Sequence, residues 1–213
     1  MDVAHPIRSV VPTLDGPVLE VLSRTTRPLT GPEIHRIAGS GSLNGVRRAL
    51  GRLVTQGVVQ AEERSSATFY LGNRDHLTWP AVESLASIRR VLLDRLHKEL
   101  ERWDPKPVHA SLFGSTARGD GDAESDIDVL IISPEGVEED ESPWADQVDR
   151  LRGNVQAWTG NHCQTFQIDL RRLAEHVQAS DPLVSEWLRD GIALLGPDLR
   201  ALIRKLPAAG GGR

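Results

Sequence analysis

The chain has 213 residues, 39% of them hydrophobic and 26% charged, with a net charge of −5. That profile belongs to a protein with a real buried core and excludes disordered and fibrous classes. No run approaches the roughly 20 apolar residues that cross a bilayer. The opening residues lack the basic and apolar regions of a signal peptide, and one cysteine, Cys163, excludes an internal disulfide framework. A cytoplasmic protein with no membrane partner is therefore expected. Charge divides unevenly: residues 1–75 carry nine basic and seven acidic side chains, and the rest carry sixteen and twenty-three. This suggests two parts, with the surface better suited to nucleic acid in front.

In chain order, residues 16–24 place Val18, Leu19 and Leu22 on one helical face. Thr30 then reads as an N-cap, with Pro32 just inside the helix and Glu33 three positions on, and Gly39 ends that helix. A third helix from Ser42 carries Val46, Leu50, Leu53 and Val54 at helical spacing, and Gly57 stops it. Two short β-like runs follow, VVQAEE and ATFYLG, separated by a turn of Arg64, Ser65 and Ser66. This order, with the Leu50-x-x-Leu53-Val54-x-x-Gly57-Val58-Val59 passage into the hairpin, resembles a winged helix-turn-helix domain over residues 12–75. The resemblance implies a recognition helix beginning at Ser42, with its N-terminal residues facing the major groove. Ser42, Asn44, Arg47 and Arg48 are then the exposed candidates for nucleic-acid contact, with Arg52 farther along and Arg64 at the wing tip. No acidic residue interrupts 34–61, which favours DNA or RNA over protein as the partner.

Residues 80–103 read as one amphipathic helix with Val82, Leu85, Ile88, Val91, Leu92, Leu96 and Leu100 on its apolar stripe. It is expected to link two domains, with the boundary near 76–80. From Val108 the pattern becomes short β-runs alternating with helices. Residues 108–113, 127–132 and 163–170 read as strands, and 142–158 reads as a helix. Further helices fall near 171–179, 182–190 and 197–206, with a short apolar segment at 192–196. Residues 207–213 read as a frayed tail. The expected fold class is α+β: residues 1–75, a linker helix through 107, a second domain over 108–206, and the tail.

The chemistry lies in SLFGSTARGDGDAESDIDVLIIS. A strand ending at Phe113 turns at Gly114 and Ser115 into a short helix. Glycine there lets the backbone approach a phosphate, the next amides can donate to it, and the Ser115 hydroxyl adds a donor. After a polar loop the chain re-enters a strand at Asp126. Side chains alternate along a strand, so Asp126 and Asp128 share one face while Ile127 takes the other. Two carboxylates beside a phosphate-binding turn suit a Mg²⁺ ion that keeps several waters and shares phosphate oxygens.

The run Gly114-Ser115-Thr116-Ala117-Arg118-Gly119, then Ser125-Asp126-Ile127-Asp128 and an apolar strand, resembles the minimal nucleotidyltransferases of the DNA polymerase β superfamily. The resemblance covers roughly residues 105–206 and implies a mixed sheet with flanking helices. It also implies that Asp126 and Asp128 bind two Mg²⁺ ions, one escorting a nucleoside triphosphate and one shared with the attacking hydroxyl. Asp169, on a later strand, would complete the second metal site and help to deprotonate that hydroxyl. Gly114 and Ser115 would hold the β- and γ-phosphates, and Arg118 would assist them or brace the loop. Asp120, Asp122 and Glu124 read as solvated loop residues, as does the acidic run from Glu135 to Glu141. His35, His97, His109, His162 and His176 show no metal-ligand spacing, and Cys163 reads as a small core residue.

The expected function is Mg²⁺-dependent transfer of NMP from an NTP to a hydroxyl on a protein, a tRNA or a small molecule. Among such enzymes are members of toxin–antitoxin pairs, so a partner toxin and DNA-binding autoregulation through the front domain are expected by analogy. The competing expectation is a DNA-binding regulator whose C-terminal domain senses nucleotide without turnover.

Overall fold

The computed structural model describes residues 1–206, and the expected tail at 207–213 lies outside them. The chain forms two compact units, one of Ala4–Arg89 with Asp2 and one from Arg90 onward with Met1 and Val3.

In the first unit a short 3-10 turn, Pro6–Ser9, precedes α1, Asp15–Ser23. A two-residue strand, β1, Leu29–Thr30, runs straight into α2, Gly31–Ala38. Thr30 and Glu33 form a full capping box at the start of α2, and Gly39 closes it in the left-handed conformation. The third helix, α3, spans Leu43–Thr55 with the Ser42 hydroxyl accepting from the Gly45 amide at its start. Strands β2, Val59–Arg64, and β3, Ala67–Gly72, pair as a hairpin whose turn is Ser65-Ser66. β1 adds antiparallel to β3, giving the order β1-β3-β2. Val18, Leu22, Ile34, Val46 and Leu50 fill the core between the helices. Gly72 is glycine because the Trp79 ring occupies the space that a Cβ would need.

The expected helix over 80–103 is two. α4 spans Trp79–Ala86 and α5 spans Ile88–Glu101, with Ser87 between them out of helical conformation. The Ser87 hydroxyl donates to the Ser84 carbonyl at 3.0 Å, a local bond that competes with the helical ladder. Trp79 and Val82 are buried in the first unit's core. The units accordingly part at Arg89, not near 76–80.

The second unit is built on a four-stranded mixed sheet. Its strands are β4, His109–Phe113; β5, Ile127–Ile132; β6, Cys163–Ile168; and β7, Ile192–Leu195. The order is β6-β5-β4-β7, with β5 and β6 parallel and the other pairs antiparallel. The parallel pair needs a crossover, and α7, Trp144–Thr159, supplies it. Ala110, Leu112, Ile127, Val129 and Ile131 cover one sheet face, packed with residues of α5 and α7. The other face presents Phe113, Leu130, Ile132 and Ile168. It packs with α8, Leu170–Gln178; α9, Pro182–Asp190; and α10, Leu199–Ile203. A short α6, Gly114–Arg118, leaves the end of β4. Among the described residues no helix is long and apolar enough to cross a membrane.

Candidate active site

β4 ends at Phe113, opposite Asp128 in antiparallel register, and the chain turns at once into α6. Gly114 makes the turn with a φ of +69°. A Cβ built there would collide with Asp128 Oδ2 and lie 3.1 Å from its Cγ. Glycine is thus required twice, for the backbone angle and for the room. Ser115 follows, its carbonyl accepting from the Gly119 and Asp120 amides at 2.9 and 3.2 Å.

The backbone entering β5 is held from several directions. The Thr116 hydroxyl donates to the Asp126 carbonyl at 3.1 Å. The buried Asn161 amide donates to the carbonyls of Ala123 and Ser125 at 3.3 and 2.9 Å. Within the loop the Ser125 hydroxyl donates to Asp122 Oδ1 at 2.9 Å. Sequence reasoning passed over Thr116 and Asn161, because neither type at those spacings signals a partner on a distant segment.

Asp126 and Asp128 leave the same side of the strand, the side on which Leu130 and Ile132 meet the helical layer of α8, α9 and α10. Asp126 is exposed and Asp128 is half-buried. Burial and the Asp126 charge push the Asp128 carboxyl above its usual range, with Glu186 on α9 adding to them and the Arg118 guanidinium opposing. Arg118 is occupied elsewhere, donating from Nε to Asp120 and from Nη1 to Asp190, each at 3.0 Å. Asp190, the last residue of α9, has a side chain only 4% exposed. Hydrogen bonds from Arg189 and Arg118 hold its carboxyl down at about 2, against burial. These two bonds tie Arg118 to the loop after α6 and to the end of α9.

Asp169 does not join the pair. In the parallel register Asp128 lies beside Gln164 and Ile132 beside Ile168, so Asp169 follows the opposite end of β6. It lies five positions beyond Gln164, which at about 3.3 Å per residue is roughly 16 Å. Its carboxylate caps α8, accepting from the Arg172 amide at 2.6 Å, with Arg171 Nε at 4.0 Å. Among the described residues no group of three or more His, Cys, Asp or Glu could hold a metal ion. Asp126 and Asp128 together still fit one Mg²⁺, which binds through one or two carboxylates and otherwise takes water and phosphate oxygens. Cys163 is buried at the start of β6 and, chiefly through burial, its thiol is pushed up to about 12, so it stays protonated as a core residue.

The nucleic-acid candidates of the first unit separate into two sets. Ser42 spends its hydroxyl on the α3 cap. Arg52 is paired with Asp15 at 2.7 Å, and Arg64 with Glu62 at 2.6 Å while lying over the Phe69 ring. Asn44, Arg47 and Arg48 are exposed on α3. Neither of those two arginines forms an ion pair among the described residues.

Residues 93–185 match the family described as a nucleotidyltransferase domain, a stretch that spans the Gly114 turn, Asp126, Asp128, β6 and the first turn of α9. No curated protein matches the chain. Two solved structures align with it. One is a crystal structure of a toxin–antitoxin with AMP-PNP, 21% identical, with a TM-score of 0.37, covering 54% of this chain and 82% of that one. The other is a mutant of the toxin–antitoxin MntA-HpeT, 18% identical, with a TM-score of 0.36 and the same coverage. Overlaps of that extent do not establish a shared fold.

Proposed function

We propose that the chain is a metal-dependent nucleotidyltransferase that moves a nucleoside monophosphate from an NTP to a hydroxyl acceptor. One observation carries this reading: the Gly114–Ser115 turn and the Asp126–Asp128 pair meet at one sheet end, within the segment that matches the nucleotidyltransferase domain family. The amides after Gly114 and the Ser115 hydroxyl are placed to donate to phosphate oxygens. Asp126 and Asp128 would hold Mg²⁺, which when bound neutralises triphosphate charge and favours departure of pyrophosphate. The acceptor oxygen attacks the α-phosphorus, the bond to the bridging oxygen breaks, and the hydroxyl proton passes to a carboxylate of the pair. Asn161, Thr116 and the Arg118–Asp190 pair keep the two carboxylates and the turn in register.

In the same reading the first unit is a winged helix-turn-helix that grips DNA through Asn44, Arg47 and Arg48. The protein would then act in the cytoplasm on a protein or tRNA acceptor, as one half of a toxin–antitoxin pair that represses its own promoter. The helix-helix-helix-hairpin order and the unpaired basic residues of α3 support this. The position of Asp169, away from the pair, favours a second reading, a DNA-binding regulator that senses nucleotide without turnover.

Incubation with Mg²⁺ and each α-labelled NTP, with cell proteins, tRNA and small-molecule fractions as acceptors, separates the two. Label transfer that disappears in Asp126→Asn is expected. If nucleotide binds but no fraction acquires label, the sensor reading replaces the enzyme.

A further inference from the structure

A site built from two strand carboxylates raises the question of how many cations it can hold. β5 and β6 run parallel and in register, with Asp128 beside Gln164. Register neighbours on adjacent strands share a face, and the strands stand about 4.8 Å apart. On β6, Phe166 and Ile168 lie two and four positions after Gln164 and so share its face, and they pack on the same side as Leu130 and Ile132. The Gln164 side chain therefore leaves the sheet beside the Asp128 carboxylate, on its own side, and it is exposed there. This position on the neighbouring strand holds a neutral amide and not an acid.

The other acids that might serve are placed elsewhere. Asp169 caps α8. Asp190 is held by Arg189 and Arg118. Asp120 is paired with Arg118, and Asp122 is turned into its own loop. Glu186 contributes its charge to the surroundings of Asp128, but it makes no metal-holding group of three with the pair. Two carboxylates balance the charge of one divalent cation. Triphosphate oxygens complete the shell of an ion that escorts the nucleotide, whereas a second ion at the acceptor would share the same two carboxylates and gain only water and an amide carbonyl from the protein, a weak set of ligands for it.

We infer that this chain holds one divalent cation per bound nucleotide, not two, and that Gln164 occupies the position where a carboxylate would create the second site. The inference rests on the nucleotidyltransferase reading of the Asp126–Asp128 site. It sharpens that reading: the bound cation serves the triphosphate, and the acceptor hydroxyl is activated without a metal of its own. Gln164 is then a positioning residue, its amide able to orient the acceptor or the cation's water.

Equilibrium dialysis of the full chain against Mn²⁺ and the four α,β-methylene nucleoside triphosphates reads manganese bound per nucleotide bound. The wild type should give one. Gln164→Asp, an exposed change that leaves the core untouched, should give two, and the paired ions should broaden the Mn²⁺ electron paramagnetic resonance signal. Asp169→Asn, which keeps a capping side chain, should leave the ratio at one. Two manganese ions in the wild type, a ratio still at one in Gln164→Asp, or a fall in ratio or nucleotide binding in Asp169→Asn would each overturn the inference. If the wild type binds no more nucleotide than Asp128→Asn, the underlying nucleotidyltransferase reading fails instead.

Discussion

The carboxylate of Asp128 lies against the α-carbon of Gly114, so that any side chain at 114 would have to displace it. The turn at Gly114 and the start of β5 are thereby one mechanical unit, although fourteen positions apart in the chain. Gly114→Ala should therefore fail on two counts. An L-residue in the left-handed region costs about 1–2 kcal/mol, and the new methyl group forces Asp128 away from its place. A fall in melting temperature of at least roughly 2–4 °C per kcal/mol follows for a protein of this size. The stabilisation given by Mg²⁺ with nucleotide should vanish with it. A variant that melts with the wild type and keeps that stabilisation would show that the two elements are not coupled.

Asp128 itself is held in the folded state at a cost. Its pKa is raised by burial and by Asp126, so folding disfavours its ionised form relative to the unfolded chain. The sign follows: its contribution to stability is favourable below the unfolded value near 3.8 and is lost as pH rises through the folded value. At neutral pH the ionised group opposes folding, to a degree that its partial exposure to solvent moderates. Asp128→Asn should accordingly raise the metal-free melting temperature while abolishing Mn²⁺ binding. Differential scanning fluorimetry with and without Mn²⁺ reads both effects. A lower metal-free melting temperature would contradict the assignment of burial and like charge as the dominant influences.

The parts of this site that were legible in the sequence are those that neighbours along the chain determine. Gly114, Ser115, Asp126 and Asp128 lie at a strand-to-helix turn and a strand start, where alternation and backbone freedom alone predict the geometry. Asp169 was misplaced because its position depends on the register between β5 and β6. The crossover through α7 sets that register over thirty residues, and no local pattern reports it. Gln164 was passed over for the same reason, since its relation to Asp128 exists only across strands. In the first unit the helical period correctly exposed Arg52, but its partner Asp15 lies on another helix, 37 positions earlier. The break at Ser87 escaped notice because the apolar stripe on either side of it keeps helical spacing.

If α3 grips DNA, its arginines should divide by whether an acid already holds them. Arg47→Ala and Arg48→Ala should each weaken binding to duplex DNA and lower the slope of log affinity against log salt by about one. Arg52→Ala should leave that slope unchanged, because its charge is already balanced by Asp15. Its effect on folding should be small, because the guanidinium half of the pair is open to solvent. Fluorescence anisotropy with labelled duplex DNA across a salt series tests all three. Equal slopes for Arg47→Ala and the wild type would remove α3 from the interface.

A pH response is built in on the α9 side of the sheet, at His109. The ring is buried in β4, 1% exposed. Its Nδ1 lies 2.8 Å from the Pro197 carbonyl, an acceptor, so Nδ1 carries the hydrogen and Nε2 is bare. Nε2 faces a small cavity that the Ser111 hydroxyl and the Trp187 indole N–H also line, and none of the three has a hydrogen-bond partner among the described residues. Burial drives the His109 pKa below 6.5, while the Pro197 carbonyl and Asp198 oppose it. Between the folded value and 6.5 the unfolded chain binds a proton that the folded chain does not. Stability therefore falls as pH drops through that window, at up to about 1.4 kcal/mol per unit, and this histidine adds no slope above 6.5. His109→Asn, whose amide can still donate to Pro197, should lower stability at every pH through lost packing. It should also flatten the curve below pH 6.5 relative to the wild type, because the proton-binding group is gone. Urea unfolding midpoints from pH 5 to 8 for the two proteins give the comparison, and parallel curves would mean that His109 takes up its proton as readily in the folded chain as in the unfolded one.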